Sequence, residues 1–512
     1  MTEELDRQHP GGLARMVKRG MAMAASGVVV VQVVSITQTL IVGRLLGPEQ
    51  VGVYTAGAVL VGFVLMMTEG TMAHALIQRE HDVEDAANTA LIATAVNGLL
   101  LALAALAASP LIGWIFHSHE AGLIAAASSG VMLLHAFSVV PDALMQRAFQ
   151  FKRRMFVDPA VSISFAGTAI VFAMMGYGAW AMVIGSYASM TVWVVMSWSL
   201  ARWRPFRGRF SWQIYREMAR FGLPVAIDGL ADRFRESAEQ MLVGRALGAA
   251  SLGQFRYAFR IGMIPTAMVI RCCGYVLFPT FSRIAGDAVR FRQAFLRALG
   301  WLWFAALPIA VIMAVAGEPI VVLLLGQEWR GAGNATEAMA GIGLGSALCS
   351  VAADVIKASG RSSLLIWTAA LQLVVGLPVI LLLLPYGLVG VGAAISITQI
   401  VTGIAIVFVA RSVVKATLRE LANCLLAPLA AALIALGVAL SVEQLIFHSD
   451  QMALLPGLAS IVVVILLVTV VYLGALRVLS PTWSNAVWQA VGQALTNFKK
   501  RNQESEEVVS VG

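Results

Sequence analysis

Long apolar runs alternate with short polar punctuation along almost all of this 512-residue chain. Strands are usually about 3–10 residues long, whereas an α-helix needs about 20 apolar residues to cross a bilayer. The runs match the second length, and they predict fourteen helices. These lie at about 20–45, 51–77, 87–116, 121–146, 157–176, 179–201, 217–246, 253–281, 293–325, 336–358, 364–384, 388–411, 420–445 and 453–478. The third and ninth are long, with Pro110 in one and Pro308 and Pro319 in the other as interruptions. The pattern predicts an all-α, polytopic integral membrane protein with a polar N-terminus at 1–19 and a cytoplasmic tail at 481–512. The end of that tail, KKRNQESEEVVSVG, reads as disordered. No polar stretch is long enough to fold as a separate soluble domain.

Composition sharpens the class. Hydrophobic residues make up 59% and charged residues 12%, about half the charge of a soluble globular protein. With a mean hydropathy of +0.81, this excludes a water-soluble enzyme, a disordered chain and a coiled coil. The net charge of +8 fits basic cytoplasmic loops better than a nucleic-acid partner. With the N-terminus placed in the cytoplasm, 28 of the 36 Lys and Arg fall in inward segments. Three fall in outward loops (Arg44, Arg245 and Arg330), and the rest lie within spans. That bias predicts an even number of spans with both termini inside. The first run begins near Met21, is too long for a cleaved signal, and reads as a retained span. Cys272, Cys273, Cys349 and Cys424 lie in apolar stretches and read as buried thiols. The 12 Trp residues, among them Trp203, Trp212 and Trp329, fit interface anchoring. Loops are short, and the nucleotide, zinc-protease and serine-hydrolase signatures are all missing. The sequence therefore predicts a carrier that does no covalent chemistry and holds no cofactor. His117, His119 and Glu120 have the look of metal ligands but lack a fourth partner, so no metal is expected.

The chain also resembles itself. Residues 42–54, VGRLLGPEQVGVY, and 243–255, VGRALGAASLGQF, share the frame V-G-R-x-L-G-x-x-x-[VL]-G-x-[YF] at an offset of 201. Tyr177-Gly178 recurs as Tyr386-Gly387, and SVVPD ending at Asp142 as SVAAD ending at Asp354. A repeat of six helices leaves both copies running the same way through the membrane, related by an axis along its normal. The predicted organisation is a six-helix bundle at 20–205, a second at 206–415, and an added helix pair at 416–480, with a substrate path between the bundles.

The residues that carry a wider resemblance now line up: FGLP at 221–224, VGRALGAASLGQF, RYAFRIGMIP at 256–265 and LFPTFSRI at 277–284. LIVGRLLGPEQVGVY, ALIQRE at 75–80, LMQRAFQFKRRM at 144–155 and PIVVLLLGQEWRGA at 319–332 agree with them. Over most of residues 20–415 the chain resembles the oligosaccharide flippase (Wzx-like) branch of the multidrug/oligosaccharidyl-lipid/polysaccharide (MOP) exporter superfamily. The resemblance implies two six-helix bundles around a central cavity in a bacterial inner membrane. It implies that an undecaprenyl-diphosphate-linked repeat unit moves from the inner to the outer leaflet for exopolysaccharide, capsule or O-antigen assembly. The expected partners are that lipid-linked oligosaccharide, the bilayer, and a polysaccharide polymerase with its chain-length machinery.

Charges within spans give the candidate site, because an ionisable residue at mid-membrane costs about 2.5–3.5 kcal/mol. At about 100° per residue, Asp228, Asp232, Arg235 and Glu239 of span 7 share a roughly 60° arc about 16 Å long, with Glu236 at its edge. On span 8, Arg256, Arg260 and Arg271 share a similar arc. A short outward loop between the two spans would make them antiparallel neighbours, with Glu236 and Glu239 at the depth of Arg256 and Arg260. Two readings stay open together. In one, acids and arginines only neutralise each other between helices. In the other, Arg235, Arg256, Arg260 and Arg271 hold the substrate diphosphate, while Asp228, Asp232, Glu236 and Glu239 gate them or bind H⁺ or Na⁺. At offset 201 the first copy is uncharged, so its wall should be neutral. There Gln32, Ser35 and Thr39 are candidates for sugar contacts or for helix–helix glue.

Lesser features read as structural. Glu69 and His74 are expected to snorkel at the inner end of span 2. Asp142 and Asp354 are expected to pair with Arg147 and Lys357, and Pro224, Pro265, Pro308 and Pro378 are hinges or packing kinks. The competing classes are a multidrug or cation antiporter of the same fold, a peptidoglycan-precursor flippase, and a membrane polymerase or ligase. Four acids against five arginines on spans 7 and 8 (Arg233 with the four above) disfavour a cationic cargo, and short outward loops disfavour the enzyme.

Overall fold

The computed structural model describes residues 10–79, 81–148, 156–201, 203–205, 207–361, 363–449, 452–481, 483, 485 and 489. Secondary structure among them is helical throughout. The first copy of the repeat runs α1 (Pro10–Gln78), α2 (Val83–Ile115), α3 (His119–Arg147), α4 (Val157–Met174) and α5 (Trp180–Ala201). The second runs α6 (Trp212–Ile284), α7 (Ala288–Leu325), a 3₁₀ turn (Gln327–Trp329), α8 (Arg330–Ala338), α9 (Gly341–Ala358), α10 (Leu364–Leu383) and α11 (Gly387–Val414). The added pair is α12 (Leu418–Val442) and α13 (Leu454–Leu479). Ten stretches of described residues are long and apolar enough to cross a membrane.

Two elements are each a pair of spans joined without a loop. α1 turns at Gly47 (φ 71°, ψ 173°) and α6 at Gly248 (φ 88°, ψ 174°). Only glycine adopts this left-handed backbone without steric cost, and Pro48 suits the start of the next leg because its φ is preset and no N–H is needed there. The short loop expected between spans 7 and 8 is therefore a single residue. Counting each leg separately gives fourteen long helical legs among the described residues.

The expected proline interruptions do not break the helices. Pro110 lies inside the continuous α2, and Pro308 and Pro319 inside the continuous α7. Neighbouring helices and local adjustment offset a missing N–H in a membrane helix. Where chain ends need capping, side chains supply it. Ser118 Oγ accepts from Ala121 N at the start of α3 (3.2 Å), and Thr417 with Glu420 makes a capping box at the start of α12.

The chain forms two compact units, residues 1–257 with 325–331, and residues 258–324 with 332–512. In the first, Met72 and Leu76 of α1, Ala86 and Ala90 of α2, Val140 of α3 and Met218 of α6 form one core. In the second, α7 is the spine. Its Phe295, Leu299 and Trp303 pack with Val351 and Val355 of α9, Val407 of α11, and Val464 and Tyr472 of α13. The added pair is fixed to α7 by polar contacts as well. Trp303 Nε1 donates to Leu425 O (3.2 Å), Tyr472 OH donates to Phe304 O (3.1 Å), and Arg292 pairs with Glu420 (3.3 Å). Large exposed apolar side chains such as Trp367, Leu382, Val470 and Val478 are what a lipid-facing surface requires.

Candidate functional site

The charged stripe of α6 is organised along its own helix. Arg235 Nη1 donates to Glu239 Oε1 at 2.5 Å, an i,i+4 pair, and Arg233 Nη1 donates to Glu236 Oε2 at 2.7 Å, an i,i+3 pair. The two acids expected to face span 8 thus find their partners one turn away. The pairs differ in setting. Arg233 and Glu236 are each more than two-fifths exposed, whereas Glu239 is 5% exposed. Among the described residues Arg235 Nε is buried and has no hydrogen-bond partner. Arg235 thus offers a fixed, partly satisfied guanidinium beside a buried carboxylate. In the following leg Arg256 is partly buried, and among the described residues no hydrogen bond or ion pair holds it. Arg260, one turn further, is also partly buried and is engaged in an interaction. The side chains of Asp228, Asp232 and Arg271 lie outside those described, as do those of Glu69, His74, Pro224, Cys272 and Cys273.

The first copy presents the same positions without charge. Gln38, at the position of Glu239, is buried, as are Thr55 and Val59 at the positions of Arg256 and Arg260. Of the candidate sugar contacts, Gln32 and Ser35 are partly buried. Thr39 is buried and donates its hydroxyl to Ser35 O at 2.7 Å, which leaves its oxygen only as an acceptor. Such back-bonding suits a residue packed between helices.

Other sequence candidates fall into place individually. Asp142 is buried and accepts from Gln146 Nε2 at 2.8 Å, while Asp354 is one turn before Lys357 on α9. His117 and His119 are exposed beside the Ser118 cap. Cys349 and Cys424 are free and partly buried. Trp329 departs from its expected role as an interface anchor. It is 1% exposed, donates Nε1 to Gly43 O (3.2 Å), and packs on Tyr257 with ring centroids 4.3 Å apart. A helix-period reading sees an amphipathic ring near a span end and has no means of finding the carbonyl it serves.

Two acids escape a reading of the sequence. Glu337 of α8 accepts from the backbone N of Glu318 in α7 (3.0 Å), where Gly317 and Gly333 let the two helices approach. Glu443, at the end of α12, is buried and accepts from Ser449 N (2.8 Å) and Ser449 Oγ (3.0 Å), which fixes the turn into α13. The available signal is an isolated acid in a largely apolar stretch. Beside six charges on span 7, such a signal does not stand out.

Comparison with known proteins agrees with this architecture. A family model described as polysaccharide biosynthesis protein matches residues 41–333. The succinoglycan biosynthesis transport protein ExoT of Rhizobium meliloti (strain 1021) is 23% identical over 337 residues, 65% of this chain and 67% of that one. The teichuronic acid biosynthesis protein TuaB of Bacillus subtilis (strain 168) is 21% identical over 451 residues, 86% of this chain and 92% of that one. Among solved structures, the lipid II flippase MurJ in an inward closed conformation superposes with a TM-score of 0.72 at 15% identity, covering 89% of this chain and 98% of MurJ. That likeness establishes a polytopic helical fold like that of MurJ. Since the family model spans more than half of the chain, including both copies of the V-G-R-x-L-G frame, the protein belongs to the polysaccharide biosynthesis protein family.

Proposed function

We propose that this protein moves an undecaprenyl-diphosphate-linked oligosaccharide across a bacterial inner membrane by alternating access, with both termini in the cytoplasm. The supporting observation is the part-buried Arg235–Glu239 pair, whose guanidinium keeps a buried, unsatisfied nitrogen, followed in the next leg by Arg256, which no described residue holds. A diphosphate presents several oxygens as acceptors, and guanidinium groups bind it through paired, charge-assisted hydrogen bonds. Arg235 and Arg256 supply that recognition, with Arg260 and Arg271 further along the same leg. The sugar is read by neutral groups, among them Gln32 and Ser35, and the polyprenyl tail stays in lipid.

Glu239 supplies the coupling. Leaving a buried charge without its partner costs about 3–5 kcal/mol. When phosphate draws Arg235 away, Glu239 favours taking up H⁺ or Na⁺. When the cargo leaves, the cation is released and the pair reforms. Asp228, Asp232 and Glu236 have the same option on neighbouring turns. No bond is made or broken.

The test is flipping in proteoliposomes, together with surface polysaccharide in cells. Arg256→Ala abolishes both while membrane insertion and detergent stability stay at wild-type levels, because its loss orphans no described partner. Normal polymer output from Arg256→Ala and Arg235→Ala together would remove the diphosphate role.

A further inference from the structure

The second bundle carries a polar chain that stands apart from the charged stripe of α6. Gln372 Nε2 of α10 donates to Gln399 Oε1 of α11 (3.1 Å), and Gln399 Nε2 donates to Ser346 Oγ of α9 (3.2 Å). Two amides and a hydroxyl thus link three helices, near the middle of α10 and α11. The backbones meet closely there, since a Cβ on Gly345 would collide with the Gln399 carbonyl. At about 100° per residue, Gln372 lies opposite the exposed stripe of Trp367, Val374 and Leu381. Gln399 lies opposite the exposed Ile397, Val401 and Phe408. Both amides therefore turn away from the lipid-facing side, and both are still partly exposed. On α9, Ser350, Asp354 and Lys357 fall within about 80° of Ser346. None of these four is buried, and they form a polar face running to the Lys357 end of the helix.

The chain is incompletely bonded. Each amide nitrogen has a second N–H, Gln372 keeps its Oε1 and Ser346 keeps its O–H, and among the described residues nothing meets them. Thr402, one turn beyond Gln399, is 1% exposed, and its Oγ has no hydrogen-bond partner among the described residues. Thr398 shows the structural alternative, with its hydroxyl committed to Ala394 O (2.8 Å). Polar groups left unbonded within a membrane are costly, so helix packing alone does not account for the set.

The repeat supplies a control. Counting from the repeat-related Tyr177 and Tyr386, the positions of Gln372, Gln399 and Thr402 hold Ile163, Met190 and Trp193 in the first copy. Trp193 packs edge-on against the buried His135 of α3, with centroids 5.3 Å apart. The first bundle thus packs the equivalent helices without an amide chain, and puts a large ring where the second has a threonine.

We propose that Gln372, Gln399 and Ser346, with Thr402 behind them, form a subsite that reads hydroxyl groups on the sugar of the cargo. Each sugar hydroxyl both donates and accepts, and this set offers N–H and O–H donors beside amide and hydroxyl oxygens. Being uncharged, it discriminates by hydrogen bonding and leaves the diphosphate to the arginines. The inference rests on the transport reading above, and adds a neutral group in the second bundle to Gln32 and Ser35 of the first.

The test is binding, in lipid nanodiscs, of undecaprenyl diphosphate that is bare or carries galactose, glucose or N-acetylglucosamine. Wild-type protein should bind one or more of the glycosylated lipids at least tenfold more tightly than the bare one. Gln372→Met/Gln399→Met keeps side-chain length and removes the amides. It should bind all four lipids alike, at the wild-type affinity for the bare lipid. Thr398→Val, beside the chain and outside it, should keep the wild-type preference. A preference retained by the methionine variant overturns the subsite. So does an equal loss of affinity for bare and glycosylated lipids, which is what a merely structural amide chain would give. If wild-type protein binds bare and glycosylated lipids equally, the subsite falls and the transport reading stands. If it binds none of the four, the transport reading falls and takes the subsite with it.

Discussion

The kinked pairs α1 and α6 share a backbone plan and differ in side-chain chemistry. Both turn at a left-handed glycine with ψ near 173°, both present a glycine to the other's carbonyl, and both bury the same apolar positions on either side. Along the preceding legs, however, Gln38 stands where the second copy has Glu239, and Val34 where it has Arg235. The parts that set geometry are alike in both copies, whereas at these positions only the second copy is charged. A transporter of an asymmetric cargo needs this division. On the function proposed above, the joints move together, whereas a diphosphate and a sugar call for different walls.

Four substitutions or pairs of them test the comparison, in order of expected size. Arg235→Ala orphans the buried Glu239 and should cost about 3–5 kcal/mol, along with all transport. Val34→Ala, its counterpart, should cost about 1 kcal/mol or less and leave transport intact. Thermal unfolding in detergent and polymer output measure both, and equal losses would erase the distinction between the walls. Gly47→Ala and Gly248→Ala each force a side chain into a positive-φ, extended-ψ region that is essentially reserved for glycine, at about 1–3 kcal/mol. The added methyl meets only Glu328 Oε2 at 3.3 Å in the first case and nothing within 4 Å in the second, so the two penalties should match. A clear inequality in melting temperature would show that the joints are not equivalent. Glu239→Gln gives the second copy the residue of the first and keeps an acceptor for Arg235. Flipping should persist but stop responding to imposed pH and Na⁺ gradients, and a retained response would move the coupling to another acid. Arg233→Ala removes an exposed pair and should change stability by less than about 1 kcal/mol, with flipping unchanged.

Much of the fold is legible in the sequence because membrane helices announce themselves by length and apolarity, and because the duplicated frame marks the repeat. Three features are out of reach. The joint between spans 7 and 8 looks like a loop, since polarity around Arg245 and Ser251 does not tell a turn of several residues from a single glycine with positive φ. The pairing of the acids is also underdetermined. An arc on a helical wheel suits Arg235 equally well for a partner on the next helix or for Glu239 one turn away, and only coordinates separate the two. Trp329, Gly52 and Gly253 draw their roles from residues some 200 to 290 positions distant, which local periodicity cannot supply.

One consequence of the single-residue joint concerns leverage. The leg Pro48–Gln78 has 31 residues and leaves Gly47 as one continuous rod. At 1.5 Å per residue that rod is about 46 Å long. A rotation of about 5° at the glycine, within the ordinary scatter of backbone dihedrals, would sweep its far end through about 4 Å. A displacement too small to admit water beside the joint would thus be magnified, at the opposite membrane face, into an aperture of molecular size.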